Sequence, residues 1–68
     1  MDDMQSALIR RWRTSALLSD LMKVHDKEAR EYYAVGDLRK ARDNERIYGS
    51  IQARRTRFDA ETLRIMKK

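Results

Sequence analysis

The sequence predicts an all-α protein in which two long antiparallel helices form a helical hairpin, and three observations support this prediction. Residues that favour helices dominate, whereas β-branched residues are scattered rather than alternating. Proline is absent from the chain. One of the two glycines lies in the stretch EYYAVGDLRKA, near the middle of the 68 residues and between two segments with helical spacing.

The first helix is predicted over about residues 3–35. Its seam alternates spacings of four and three residues, which keeps the members on one face of a helix. Asp2, followed three residues later by Gln5, resembles a capping box at the start of this helix. The seam contains Met4, Leu8, Arg11, Ser15, Leu18, Met22, His25, Ala29 and Tyr32.

The turn is predicted at residues 36–37. Gly36 can adopt the left-handed conformation that closes a helix, because it has no Cβ atom. Asp37 can accept hydrogen bonds from the free amide groups that open the next helix. The chain is therefore expected to reverse its direction here.

The second helix is predicted over about residues 38–66. Gly49 and Ser50 are an alternative break, after which Ser50 would cap a third helix. A single exposed glycine costs a helix only about 1 kcal/mol, and the seam passes this point without a shift in spacing. We therefore favour one continuous helix, with a seam of Ala41, Asn44, Tyr48, Ile51, Arg55, Phe58, Thr62 and Ile65.

The two predicted helices have nearly equal lengths, on the order of 45 Å each. If they pair about the turn, the small Ser15 faces the large Phe58, an alternation that packed helices prefer. Asn44 and Arg55 occupy core-type positions in the second seam. Such residues need polar partners, and they can fix register or oligomeric state.

The turn region resembles part of a known repeat. Gly36 and Asp37 hold turn positions, and Ala29 and Ala41 hold small-residue positions, as in the turn between the two helices of a tetratricopeptide repeat. The resemblance covers about a quarter of the chain and implies a hairpin of two helices. Repeat arrays need several copies and the chain holds one, so we interpret the resemblance as shared hairpin chemistry.

The whole chain, residues 1–68, is expected to be a single domain near the lower size limit for independent folding. It contains no cysteine, so no disulfide supplements its small core. Self-association or docking on a larger protein is therefore expected to complete a helical bundle. The alternative is a monomer in which a third helix covers the remaining apolar surface.

The predicted location is the cytoplasm. The absence of cysteine fits a reducing compartment, and the acidic N-terminus lacks the basic residues of a signal peptide. The longest apolar runs are far too short to span a bilayer. Binding to a membrane surface is not expected, because the arginines of IRRWR point in different directions around a helix.

Apolar residues outside the first seam form two further sets. Leu17, Leu21 and Val24 lie roughly a quarter-turn to one side of the seam, whereas Ile9 and Trp12 widen the opposite side. One partner helix cannot cover both sides. We therefore predict that these five residues contact another protein, with Trp12 as the anchor because an indole combines a large apolar area with one hydrogen-bond donor.

Few residues are suited to catalysis or metal binding. His25 is the only histidine, and Glu28 is the one acidic neighbour that shares its side of a helix. Two ligands do not make a metal site, so a packed and hydrogen-bonded His25 is favoured. We expect a non-enzyme with no catalytic residues, no metal, no cofactor and no small-molecule substrate.

Positive charge is concentrated in the second half of the chain. Residues 1–34 hold six basic and six acidic residues, whereas residues 35–68 hold ten and five. Six of these basic residues lie within about a quarter-turn on the second helix, opposite its seam, and form what we call the basic stripe. Arginine donates several hydrogen bonds to each phosphate, so the stripe can follow a nucleic-acid backbone; the alternative is an ordinary solvated face. The basic stripe contains Arg39, Arg42, Arg46, Arg57, Arg64 and Lys68, and Arg54 flanks it.

The leading functional hypothesis is a small non-enzymatic interaction or adaptor protein. It would act by self-association or by docking on a larger protein assembly through its apolar side chains. The alternative is a nucleic-acid-binding accessory protein that presents the basic stripe to phosphates. The two hypotheses are compatible, since they use different surfaces.

Overall fold

A computed structural model describes residues 2–67, and the side chain of Asp2 lies outside this description. Helix α1 spans Asp2–Ala34 and helix α2 spans Leu38–Lys67. The helices pack against each other in opposite directions, so the predicted all-α hairpin is confirmed. The predicted helix ends differ from the observed ones by no more than one residue. The predicted cap at Asp2 falls outside the described side chains.

A Schellman turn closes α1. The amide of Asp37 donates to the carbonyl of Tyr32 at 2.9 Å, and the amide of Gly36 donates to the carbonyl of Tyr33 at 3.1 Å. Gly36 has a φ of 80°, in the left-handed region that favours glycine. The carboxylate of Asp37 then accepts a hydrogen bond from the amide of Lys40 at 3.2 Å and caps α2. The roles predicted for Gly36 and Asp37 are therefore confirmed.

Helix α2 passes Gly49 and Ser50 without a break. The alternative third helix is thus absent from residues 2–67. The space around Gly49 is open, because a Cβ atom placed there would meet no atom within 4 Å outside the local helix backbone. Packing within the hairpin therefore does not require a glycine at this position.

The hairpin is a single layer of two helices. Its Cα atoms span 54 × 15 × 10 Å, and the shortest dimension leaves room for one helix in depth. The seam residues predicted from the sequence are buried or half-buried, except Met4, which is exposed. Among the described residues the buried apolar side chains are those of Met22, Ala29 and Ala41. Both broad faces of the layer are consequently open.

Polar contacts of Arg11, Arg55 and His25 bridge the two helices at successive heights, and the first of these polar bridges lies near the open end of the hairpin. Arg11 Nε donates to Thr62 Oγ1 at 2.7 Å, and Arg11 Nη2 donates to the carbonyl of Phe58 at 3.3 Å. The same Nη2 lies 3.2 Å from the Glu61 carboxylate. The guanidinium also stacks over the Phe58 ring, 4.1 Å from the ring centre. This arrangement forms the Arg11 bridge.

The Arg55 bridge lies further from the open end. Arg55 Nε donates to Ser15 Oγ at 3.3 Å and lies 3.7 Å from the Asp59 carboxylate. The sequence predicts that Ser15 faces Phe58, and this stays a prediction; the structure adds that the Arg11 guanidinium stacks over the Phe58 ring. The half-buried Ser15 hydroxyl needs a hydrogen-bonding partner, and Arg55 supplies one.

The His25 bridge lies nearest the turn. Asn44 is buried, and its Nδ2 donates to the carbonyl of Lys40 at 2.9 Å. Its Oδ1 is therefore an acceptor, and His25 Nδ1 donates to it at 2.9 Å. The polar partner expected for Asn44 is thus present, and the three polar bridges set the register of the hairpin.

Candidate interaction surfaces

The first exposed apolar surface lies at the open end of the hairpin, away from the turn. We call it the open-end patch, and it consists of Ile9 and Trp12 on α1 with Leu63 and Met66 on α2, all of them exposed. Trp12 is 54% exposed and lines two shallow grooves. One groove, of about 210 Å³, contains Leu8 and Ile9; the other, of about 280 Å³, contains Leu63 and Met66. The indole therefore joins the apolar surfaces of both helices.

The second exposed apolar surface is the α1 outer stripe, which consists of Leu17, Leu21 and Val24. Their exposed fractions are 64%, 48% and 49%. Helical spacing places the stripe on the other side of the α1 seam from Trp12. On that side α2 contributes Ile47, which is also exposed. The stripe is thus a lengthwise apolar strip near the middle of α1.

The five predicted contact residues accordingly lie on two separate surfaces, one on each face of the layer. This agrees with the two sets of side chains that helical spacing distinguishes on α1. Leu63 and Met66 were not predicted from the sequence. The two residues are three positions apart and each follows a seam residue, which was a usable signal, but their proximity to Trp12 depends on how the helices pack.

The basic stripe runs along the outer side of α2, and its described residues are exposed, as is the flanking Arg54. None of these arginines forms a salt bridge with another described residue. By contrast, Arg11, Arg30 and Arg55 each have an acidic partner. Lys68 lies outside the described residues. The guanidinium groups available to an external anion are those of Arg39, Arg42, Arg46, Arg54, Arg57 and Arg64.

A third cavity, of about 270 Å³, lies near the turn, and its walls are about equally polar and apolar. A hydrogen bond to the Glu45 carboxylate, with smaller effects of desolvation and the Glu45 charge, raises the pKa of Tyr33 despite the opposing charge of Arg42. Asp26 and Arg30 also line the cavity and pair at 3.3 Å. These groups form an ordinary charged surface, which the phenols of Tyr33 and Tyr48 also line.

His25 is held within the hairpin by its hydrogen bond to Asn44 and lies 4.0 Å from the Glu28 carboxylate. Within residues 2–67, no three side chains of histidine, cysteine, aspartate or glutamate are grouped so that they could hold a metal ion.

Neither of the described helices is long and apolar enough to cross a membrane.

Comparisons with known proteins add no family to this geometry. The chain matches no family model, no curated protein and no solved structure. The tetratricopeptide resemblance therefore remains a resemblance of the turn alone, whose Schellman geometry and aspartate cap account for the shared residues Gly36 and Asp37.

Proposed function

We propose that the protein is a small non-enzymatic interaction or adaptor protein that works by association, either with itself or with a larger protein assembly. The supporting observation is that a single layer of two helices exposes the open-end patch on one face and the α1 outer stripe on the other. Exposed apolar surface of this kind marks contacts with other molecules. The cytoplasm is the proposed location.

The energetics of the hairpin support the same proposal. Among its described residues, three apolar side chains are buried, and two of them are alanines. Much of the remaining seam is polar, and polar bridges contribute less net stability than apolar burial of similar size. Domains of this length usually gain stability from a disulfide, a metal or association, and the chain has no cysteine. Association would cover the faces that the hairpin leaves open.

Sedimentation equilibrium over a range of protein concentrations, combined with affinity capture, tests this proposal. Trp12→Ala and Leu21→Gln would each remove one apolar surface while leaving the polar bridges in place. Ala53→Gln, on the exposed outer side of α2, is a matched control. A folded wild-type chain that stays monomeric and captures no protein would contradict the proposal.

Binding to nucleic acid is the second candidate function. The observation that favours it is that the arginines of the basic stripe have no acidic partner among the described residues, although acidic residues pair with other arginines of the chain. Arginine binds phosphate with several donors, and each phosphate contact releases counterions from the nucleic acid. The expected mode is contact with the backbone rather than with base edges.

Fluorescence anisotropy of labelled duplex and single-stranded nucleic acid at several salt concentrations tests this candidate. Charge reversal at Arg46, Arg57 and Arg64 should abolish binding and leave the helical circular dichroism unchanged. The control reverses three basic residues of α1 and changes the net charge by the same amount; these residues are Lys23, Lys27 and Arg30. If both triple variants weaken binding equally, only net charge matters and the stripe is not a site.

A further inference from the structure

The α1 outer stripe is flanked by opposite charges at its two ends. Arg10 and Arg13 precede it, and Glu28 and Glu31 follow it. At 100° per residue, these four residues lie within about a quarter-turn of the stripe on the same side of α1. Arg10, Arg13 and Glu31 are exposed and Glu28 is half-buried. The outer side of α1 is therefore basic, then apolar with the exposed Asp20 at its edge, then acidic along its length.

These residues are arranged symmetrically about the midpoint between Asp20 and Leu21. Leu17 and Val24 lie equally far from this midpoint, at about 5 Å along the helix. Arg13 and Glu28 also lie equally far from it, at about 11 Å on either side, as do Arg10 and Glu31 at about 16 Å. A second copy of α1 laid antiparallel about this midpoint would therefore set Arg10 opposite Glu31 and Arg13 opposite Glu28.

We propose that the partner of the α1 outer stripe is a second copy of this chain, packed antiparallel with a two-fold axis near Leu21. Leu17 of each copy packs against Val24 of the other, and Arg10 and Arg13 pair with Glu31 and Glu28 of the other copy. This proposal rests on the proposed function and names its partner. Such an isologous contact is self-complementary, as two-fold dimers require.

The charged groups are available for these contacts. Among the described residues, Arg10, Arg13 and Glu31 form no salt bridge, and Glu28 makes one contact, at 4.0 Å to His25. A parallel arrangement would set arginine against arginine and glutamate against glutamate, which is unfavourable. On the same face α2 offers Ile47 as its exposed large apolar side chain, so pairing α1 with α1 buries more apolar surface. Charge and apolar area thus favour the same antiparallel dimer.

Charge reversal tests the orientation directly. The double variants R10E/R13E and E28R/E31R should each weaken self-association by at least about tenfold, measured by sedimentation equilibrium. The quadruple variant R10E/R13E/E28R/E31R should restore it, because an antiparallel dimer again sets unlike charges opposite each other. Circular dichroism confirms that each variant is folded. A quadruple variant that stays as weak as the double variants would overturn the proposal.

Disulfide cross-linking tests the register, and the absence of cysteine from the chain leaves no competing thiol. An equimolar mixture of L17C and V24C should oxidise to the mixed dimer in preference to either like pair. A16C, one residue from Leu17 but on the other side of α1, is the control and should pair with neither. If the wild-type chain dimerises but L17C and V24C do not preferentially cross-link to each other, the antiparallel contact is overturned and self-association is not. A wild-type chain that is monomeric but captures another protein would overturn the dimer and leave association as the function.

Discussion

The guanidinium carbon of Arg11 lies 4.1 Å from the centre of the Phe58 ring. The nitrogens of the same group donate to the Thr62 hydroxyl and to the Phe58 carbonyl. One side chain of α1 thus contacts two successive turns of α2. Directional contacts of this kind make the seam specific for one register of the two helices. A leucine-rich seam would instead be stabilised mainly by apolar burial.

Replacing Arg11 with alanine is expected to lower the free energy of unfolding by about 1–2 kcal/mol, because a stacked cation and two partly buried hydrogen bonds are lost. Arg64→Ala removes an exposed arginine without a described partner and should change it by less than about 0.5 kcal/mol. Urea unfolding followed by circular dichroism, at one protein concentration, compares the two variants. Similar losses in both would show that Arg11 does not anchor the open end.

Replacing each of the two glycines with alanine should change the free energy of unfolding in opposite directions. Gly36→Ala forces a Cβ atom into the left-handed region and should cost about 1 kcal/mol of unfolding free energy or more. Gly49→Ala raises the helix propensity at a position where a Cβ atom has open space. It should therefore raise the free energy of unfolding by about 1 kcal/mol. Thermal and urea unfolding measure both changes, and each variant is the control for the other. A destabilised Gly49→Ala chain would reveal a contact at this position outside the hairpin.

The hydrogen bond between His25 and Asn44 should appear as a coupling energy in a double-mutant cycle. Asn44→Ala leaves a half-buried imidazole donor without its partner and should cost about 1–3 kcal/mol. His25→Ala and the double variant complete the cycle, with an expected coupling of about 0.5–1.5 kcal/mol. Ser50→Ala and Gln52→Ala, on exposed positions of α2, serve as controls. Additive losses at positions 25 and 44 would argue against the bond.

The phenol of Tyr33 should lose its proton at a higher pH than that of an ordinary tyrosine. Its folded-state pKa is raised by the Glu45 carboxylate, so the stabilising effect is present below the usual value of about 10 and is lost as the pH rises through the raised pKa. Glu45→Gln should therefore lower the pKa of Tyr33 and reduce the alkaline loss of stability. Tyrosinate absorbance follows this titration. The part of the absorbance change that Tyr33→Phe removes belongs to Tyr33. An unchanged titration in Glu45→Gln would remove Glu45 as the cause.

The helices and the turn could be predicted from the sequence because their signals are local. The heptad spacing lies within each helix, and the Schellman turn needs only a glycine with positive φ followed by a capping residue such as Asp37. The same reasoning predicted that α2 continues through Gly49, because the uninterrupted seam outweighs the modest propensity cost of a glycine. Local chemistry therefore accounts for most of this fold.

The details of packing could not be predicted in the same way. Size complementarity predicted that Ser15 faces Phe58, but it did not predict the hydrogen bond between Ser15 and Arg55 or the stacking of the Arg11 guanidinium over the Phe58 ring. The neighbours of Trp12 also depend on the side of α2 that meets α1. The position of the basic stripe was evident from helical spacing, yet a solvated face and a phosphate site share that spacing.

The two helices of the hairpin are joined by the Schellman turn, so the start of α1 and the end of α2 lie side by side. A force that pulls these two ends apart would load the polar bridges in succession, first the Arg11 bridge, then the Arg55 bridge and finally the His25 bridge. A force along the long axis would instead shear all three together. The molecule is therefore mechanically anisotropic: weak to unzipping from its open end and stiffer to sliding of one helix along the other.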